Sequence, residues 1–290
     1  MSAVKGSAKK PDGAKREVRS RRHRRALERM ISLEIPFLVG GGHALRHYTG
    51  DVRGTKDLDV FVRREDALAF LEGLATAGFE TDLTFPHWLG KAQVEEDYID
   101  VIYSSGNGLT EVDDAWFAHS QPATVLGVPV QLCPPEEMIW SKAFIMERER
   151  YDGADISHLI RACQGQLDWN RLVARFGAHW RVLLSHLTLF GFIYPGEVAA
   201  IPPDVMVGLC RLLEREACRP APDQRVCQGT LLSREQYLTD VSRWGYADGR
   251  LMPRGSLTPE EIAQWTAAIE PPKEIVSGRK GDDDASGSRR

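Results

Sequence analysis

Three consecutive glycines, Gly40, Gly41 and Gly42, stand between an apolar run, IPFLV, and a short helical stretch, HALRHYTG. Glycine tolerates turns and close backbone approaches that other residues resist, so the triplet reads as a strand entering a tight turn that opens a helix. Backbone N–H groups at such a turn can approach a phosphate closely. The turn has neither the G-K-[ST] of a Walker loop nor the full G-x-G-x-x-G dinucleotide fingerprint. One helix further on comes KDLDVFV, a strand by its β-branched content and alternation. Any fold for this chain must therefore accommodate strand, glycine turn, helix and strand in close succession.

The second strand carries Asp57 and Asp59, one residue apart, so their side chains share a face while Leu58, Val60 and Val62 point the other way. Two adjacent carboxylates repel each other unless a cation sits between them, and their oxygens are hard ligands of the kind Mg²⁺ prefers. Asp100, flanked by Ile99 and Val101, lies in a further strand, DYIDVIY. Pairing of that strand beside the first would bring three carboxylates together, as two-metal phosphoryl transfer requires. The plainer alternative is a set of polar residues on the wet face of a sheet. Arg53, Thr55 and Lys56 immediately precede the acids and are placed to contact a triphosphate or to fix the loop.

Around these strands, Glu65 to Ala77 reads as an amphipathic helix stopping at Gly78, SSGNG as a turn, and VLGVPVQL as a strand or hairpin. From Pro135 the pattern changes to helical periods, beginning with PEEMIWSKAFIMERERY and continuing around 155–164, 168–176, 179–193, 203–217, 233–243 and 258–269. The expectation is an α+β protein: a basic arm and helix over 1–30, a mixed-sheet core with flanking helices over 31–135, a helical region over 136–270 and a disordered tail over 271–290. Ala26, Leu27, Met30 and Ile31 form a short apolar stripe on the basic helix, which spans Glu17 to Leu33.

GGGHALRHYTGDVRGTKDLDVFV, followed by YIDVIYSSGNG, resembles the signature of the DNA polymerase β-like nucleotidyltransferase superfamily. In that superfamily a glycine pair precedes a D-x-D strand and a third acid follows on a later strand. The R-x-T-K-D-L-D form is similar to small bacterial nucleotidyltransferases that include the AbiE toxin class. The resemblance implies a polymerase β-like core in which Asp57 and Asp59 bind two Mg²⁺ (or Mn²⁺) ions. Asp100 would ligate one ion and help deprotonate an attacking hydroxyl. It also implies that Gly41 and Gly42 cradle phosphates, with Arg53, Thr55, Lys56 and Lys142 as nucleotide contacts. Lys142 lies in EEMIWSKAFIMERERYDGADISHLI, where Arg148, Asp152 and Asp155 match the rest of the stretch; structural roles are the better expectation for the two acids. The expected activity is transfer of a nucleoside monophosphate from an NTP to an acceptor hydroxyl on a small molecule, a protein or RNA. A non-catalytic nucleotide- or nucleic-acid-binding module is the alternative.

Composition narrows the partners. The formal net charge of -4 conceals a cluster of Lys and Arg between Lys5 and Arg29, which suits RNA or an acidic partner, or simply a solvated tail. Five scattered cysteines without a C-x-x-C pair support neither structural zinc nor a disulfide framework. No apolar run is long enough for a membrane span, so a cytoplasmic location and no membrane partner are expected. His43 and His47 share a helix face but lack the Glu of H-E-x-x-H. His87, Trp88 and Lys91, in FPHWLGK, read as a loop beside the cleft, with Trp88 more an anchor than a base-stacking platform. The aromatics of the helical region (Trp140, Phe144, Trp169, Phe176, Trp180, Phe190, Phe192, Tyr194) read mainly as core.

Overall fold

The structure, a computed structural model, describes residues 12–50, 55, 57–94, 97–220 and 223–268. Arg53 and Lys56 lie outside these residues, as do residues 1–11 of the basic arm and the tail. The fold is α+β, built on one seven-stranded mixed sheet.

The chain runs through α1 (Asp12–Ile31), β1 (Leu38–Val39), α2 (Gly41–Thr49), β2 (Leu58–Phe61), α3 (Ala67–Thr76), β3 (Glu80–Phe85), β4 (Leu89–Val94), β5 (Asp97–Ile102), α4 (Asp114–Ala118), β6 (Gln121–Val125) and β7 (Val128–Leu132). The strand order is β3-β4-β5-β2-β1-β7-β6, with β2 parallel to β5 and β1 parallel to β7. Leu58, Val60, Ile99 and Val101 alternate onto one face and are buried there. Helices α1 and α3 cover that face with Leu27, Met30, Phe70, Leu71 and Leu74. The last turns of the basic helix therefore belong to the core, although Ile31, expected in its apolar stripe, is exposed. On the other face α2 packs against β2.

One strand pair was absent from the expectation. Glu80 to Val94 forms a hairpin, β3–β4, with His87 and Trp88 at its turn and Lys91 inside β4. Residues 121–132 form the other hairpin, whose turn puts Leu126 at φ 52 and Gly127 at φ 81, the paired positive angles that suit a tight two-residue turn.

Five helices follow: α5 (Pro135–Ala143), α6 (Gly153–Ala162), α7 (Trp169–Phe176), α8 (Trp180–Ile193) and α9 (Pro203–Ala217). Helix α5 ends well before Tyr151, and Met146 and Tyr151 form a bridge instead. Glu136 and Glu137, both buried at the start of α5, are matched by Arg171 of α7, which reaches each at 2.5 Å, and by Arg175, 3.1 Å from Glu137. Phe192, expected in the core, is 83% exposed. Beyond α9 come β8 (Val226–Cys227), α10 (Leu238–Ser242), β9 (Ala247–Asp248) and α11 (Pro259–Ala267). This segment returns to the sheet. Trp265 of α11 packs edge-on against Phe85 and Trp88, Ser256 donates to the Gly108 carbonyl at 2.6 Å, and Asn107 donates to the Leu231 carbonyl at 2.7 Å.

Candidate functional site

Parallel pairing of β2 with β5 puts Asp59 directly opposite Asp100. Antiparallel pairing of β5 with β4 then puts Lys91 opposite Asp100 on its other side. Residues opposite one another in a sheet share a face, so Lys91, Asp100 and Asp59 form a charged row across three strands. The Lys91 Nζ lies 3.4 Å from Asp100 Oδ1. That oxygen is buried and accepts no hydrogen bond.

The row ends under the glycine turn, where the Gly40 N–H donates to the Asp59 carbonyl at 3.0 Å. Each glycine is hemmed in differently. A Cβ on Gly40 would strike the Phe61 ring, one on Gly41 the Asp59 carboxylate, and one on Gly42 the Thr55 side chain. Gly41 also has φ +51, a backbone conformation that disfavours any side chain. The N-terminus of α2, with its free N–H groups, thus stands over the Asp59 carboxylate. Thr55 Oγ1 donates to the Asp57 carbonyl at 2.8 Å, and Arg19 of the basic helix donates to the Thr55 carbonyl at 3.4 Å.

Electrostatics follow from this packing. Burial, then the Asp100 charge, then that of Asp57 push Asp59 up to about 6, against the opposing pull of Lys142 and Arg150. Burial also raises Asp100, with Lys91 pulling the other way. Lys142 is clasped by Asp152 at 2.7 Å and Asp155 at 2.9 Å, and Arg150 also donates to Asp152. It is therefore an ion-paired lysine whose charge is felt at Asp59. Arg150 is a cation that sequence reasoning passed over in favour of Arg148; both are exposed, and Arg150 is the one that reaches Asp152. The near-repeat ERER offers no signal that separates the two.

Asp57 precedes β2 and is exposed. Among the described residues no three His, Cys, Asp or Glu side chains are gathered closely enough to hold a metal ion. The three acids are thus not drawn into one cluster: strand pairing holds Asp59 and Asp100, whereas nothing in the sheet holds Asp57. The pair itself fits a divalent cation. Two partly buried carboxylates lie side by side, one Asp100 oxygen faces only the Lys91 ammonium at 3.4 Å, and each acid is raised by burial and by neighbouring negative charge.

The other polar candidates are used in packing. His43 lies 3.4 Å from His23, while His47 meets the Tyr48 ring edge-on. Trp88 is stacked on Phe85. All five cysteines are free thiols. No helix among the described residues is long and apolar enough to cross a membrane.

No protein-family model and no curated protein matches the chain. Some solved structures are similar to it. The solution structure of the antibiotic-resistance factor ANT(2'')-Ia aligns at 17% identity with a TM-score of 0.40, over 58% of this chain and 97% of that one. The lincomycin-bound lincosamide antibiotic adenylyltransferase LnuA aligns at 13% identity and TM-score 0.36, over 48% and 94%. JHP933 from Helicobacter pylori aligns at 12% identity and TM-score 0.36, over 68% and 94%. Likeness this distant carries no argument about fold or chemistry.

Proposed function

We propose that this chain is a nucleotidyltransferase of the polymerase β-like kind, akin to the AbiE class, moving a nucleoside monophosphate from an NTP to an acceptor hydroxyl. The observation that carries this reading is the register of Asp59 against Asp100 beneath Gly41. Like charges directly opposite in a sheet destabilise it, so the pair makes sense as a site that a cation completes. The N–H groups of Gly41 and Gly42, at the start of α2, face the phosphates. Thr55 flanks them, with Arg53, Lys56 and Lys142 assigned supporting contacts.

In the reaction the acceptor oxygen forms a bond to the α-phosphorus, the bond from that phosphorus to the β-phosphate oxygen breaks, and pyrophosphate leaves with the electron pair. The acceptor proton passes to the Asp100 carboxylate, which Lys91 helps keep ionised. Mg²⁺ or Mn²⁺ held by the Asp59–Asp100 pair, with the exposed Asp57 beside it as a further carboxylate, would neutralise triphosphate charge and make the acceptor hydroxyl more acidic. The acceptor is a small hydroxylated molecule, a protein side chain or an RNA end. The basic helix bordering the site, through Arg19, suits the last two. Free thiols throughout suit a reducing compartment such as the cytoplasm.

One observation favours a second reading, a non-catalytic nucleotide-binding module: Lys91 already supplies a cation to Asp100. Calorimetric titration with each NTP, with and without Mg²⁺, separates the two. Catalysis predicts metal-dependent binding that Asp57→Ala/Asp59→Ala loses while its circular dichroism is unchanged. Metal-independent binding that survives in the double variant would leave the module. Absence of binding to any NTP by folded protein would overturn both.

A further inference from the structure

Asp100 has Asp59 and the glycine turn on one side of it in the sheet and the β3–β4 hairpin on the other. In-line attack puts the acceptor on the side of the α-phosphorus away from the departing pyrophosphate. With the triphosphate at the glycine turn, the acceptor therefore approaches Asp100 over the hairpin. Strand register sets what it meets there. Asp82, Lys91 and Asp100 face one way in one row, and Glu80, Gln93 and Tyr98 face the same way in the next.

Tyr98 is the large ring on this surface. In the inner strands Leu58, Val60, Phe61, Ile99 and Val101 are all buried, whereas Tyr98 is 41% exposed. Its spacing of two from Asp100 puts both side chains on one face. The Lys91 Nζ, 3.4 Å from Asp100 Oδ1, also stands 5.7 Å from the centre of the Tyr98 ring. One ammonium thus joins the ring to the carboxylate that takes the acceptor proton.

We infer that Tyr98 is the platform on which the acceptor lies, and so a specificity-determining residue; this rests on the transfer proposed above. The acceptor that fits is an uncharged alcohol with a flat or apolar ring face, because an aromatic ring stacks on such a face with little regard to its edge groups. Charge decides against a phosphate-bearing acceptor. Glu80 and Asp82 are exposed on β3, and the Lys91 charge is already matched by Asp100. The basic helix does not offset them, since Arg19 reaches the site at Thr55, beside Gly42 on the triphosphate side.

The test is a saturation-transfer NMR titration of the full chain with phenyl β-D-glucopyranoside, an uncharged alcohol bearing a ring. Mg²⁺ and the α,β-methylene analogue of the NTP that calorimetry selects are present throughout. Phenyl phosphate keeps the ring and adds charge, and methyl β-D-glucopyranoside keeps hydroxyls and loses the aromatic ring. The expected result is saturable binding of the phenyl glucoside, with both comparators about tenfold weaker. Tyr98→Ala should lose about tenfold, Tyr98→Phe should stay within about twofold of wild type, and both should bind the NTP analogue as wild type does. Failure of the folded wild type to bind any NTP defeats the transfer reading and this platform with it. With NTP binding intact, the platform alone is overturned by no saturable binding of the phenyl glucoside, by equal binding of phenyl phosphate, or by unchanged affinity in Tyr98→Ala. Loss of NTP-analogue affinity in Tyr98→Ala would also overturn it, by giving the ring to the nucleotide.

Discussion

Gly41→Ala, set against Gly50→Ala, tests whether the glycine turn serves the Asp59 carboxylate or merely turns the chain. Both glycines bound α2 and both have positive φ, +51 at Gly41 and +70 at Gly50. An alanine in that conformation costs roughly 1–2 kcal/mol at either position, equivalent to about 2–4 °C in midpoint per kcal/mol for a chain of this size. The surroundings differ completely. A Cβ on Gly50 meets nothing within 4 Å, whereas one on Gly41 overlaps the Asp59 carboxylate and its Cβ. Relieving that overlap displaces the carboxylate by about 1 Å or more, and a misplacement of this size costs about 100-fold where geometry matters. Thermal unfolding and Mg²⁺-dependent NTP titration should therefore diverge. Gly50→Ala loses only the backbone cost and keeps NTP affinity within about threefold, whereas Gly41→Ala loses at least as much stability and about 100-fold in affinity. Equal NTP affinity in the two variants would refute the reasoning.

Asp59→Asn gives a second test, of sign. With its pKa raised to about 6 by burial and then by Asp100 and Asp57, the folded protein holds a proton that the unfolded chain releases nearer 4. Wild-type stability without divalent ions should therefore fall as pH rises from about 4 to 6 and stay lower above that. Urea unfolding at pH 8 should find Asp59→Asn more stable, by on the order of 1–3 kcal/mol, with no difference below about pH 4; a less stable variant at pH 8 contradicts this. Lys91→Met removes the cation holding Asp100 down, so the acid midpoint of Mg²⁺-dependent NTP binding should move to higher pH. An unmoved midpoint would separate Lys91 from the site. Arg171→Met strands the buried Glu136 and leaves Glu137 to Arg175 alone, and should cost about 3–5 kcal/mol in urea unfolding while leaving NTP affinity intact in the folded protein.

Alternation made the inner strands legible. Leu58 and Val60 in β2, like Ile99 and Val101 in β5, leave Asp59 and Asp100 on the opposite face by simple two-residue period. The β3–β4 hairpin was not legible for the converse reason. ETDLTF is half-exposed along its whole length, and LGKAQV buries the small Gly90 and Ala92, so neither shows a bulky buried stripe. That hid Lys91, whose importance comes only from facing Asp100 across the sheet. Lys142 was legible as a position but not as a partner of Asp152 and Asp155, because the break in α5 that brings them together has no marker in the helical period. Asp248 and Arg250, a buried ion pair, were invisible for a different reason. Two-residue strands carry no periodicity, and a D-G-R triplet reads as a solvated turn.

The strap formed by Ser256, Gln264 and Trp265 ties a segment far along the sequence to Gly108, Thr84 and Phe85. A ribosome adding roughly 5–20 residues per second would take on the order of 10–30 s to travel from Gly108 to Trp265. Throughout that interval Phe85 and Trp88 lack their cover, and the β3 edge of the sheet is a surface open to chaperones or to mispairing. The strands that carry the acids would then be made well before the segment that covers the neighbouring β3–β4 hairpin.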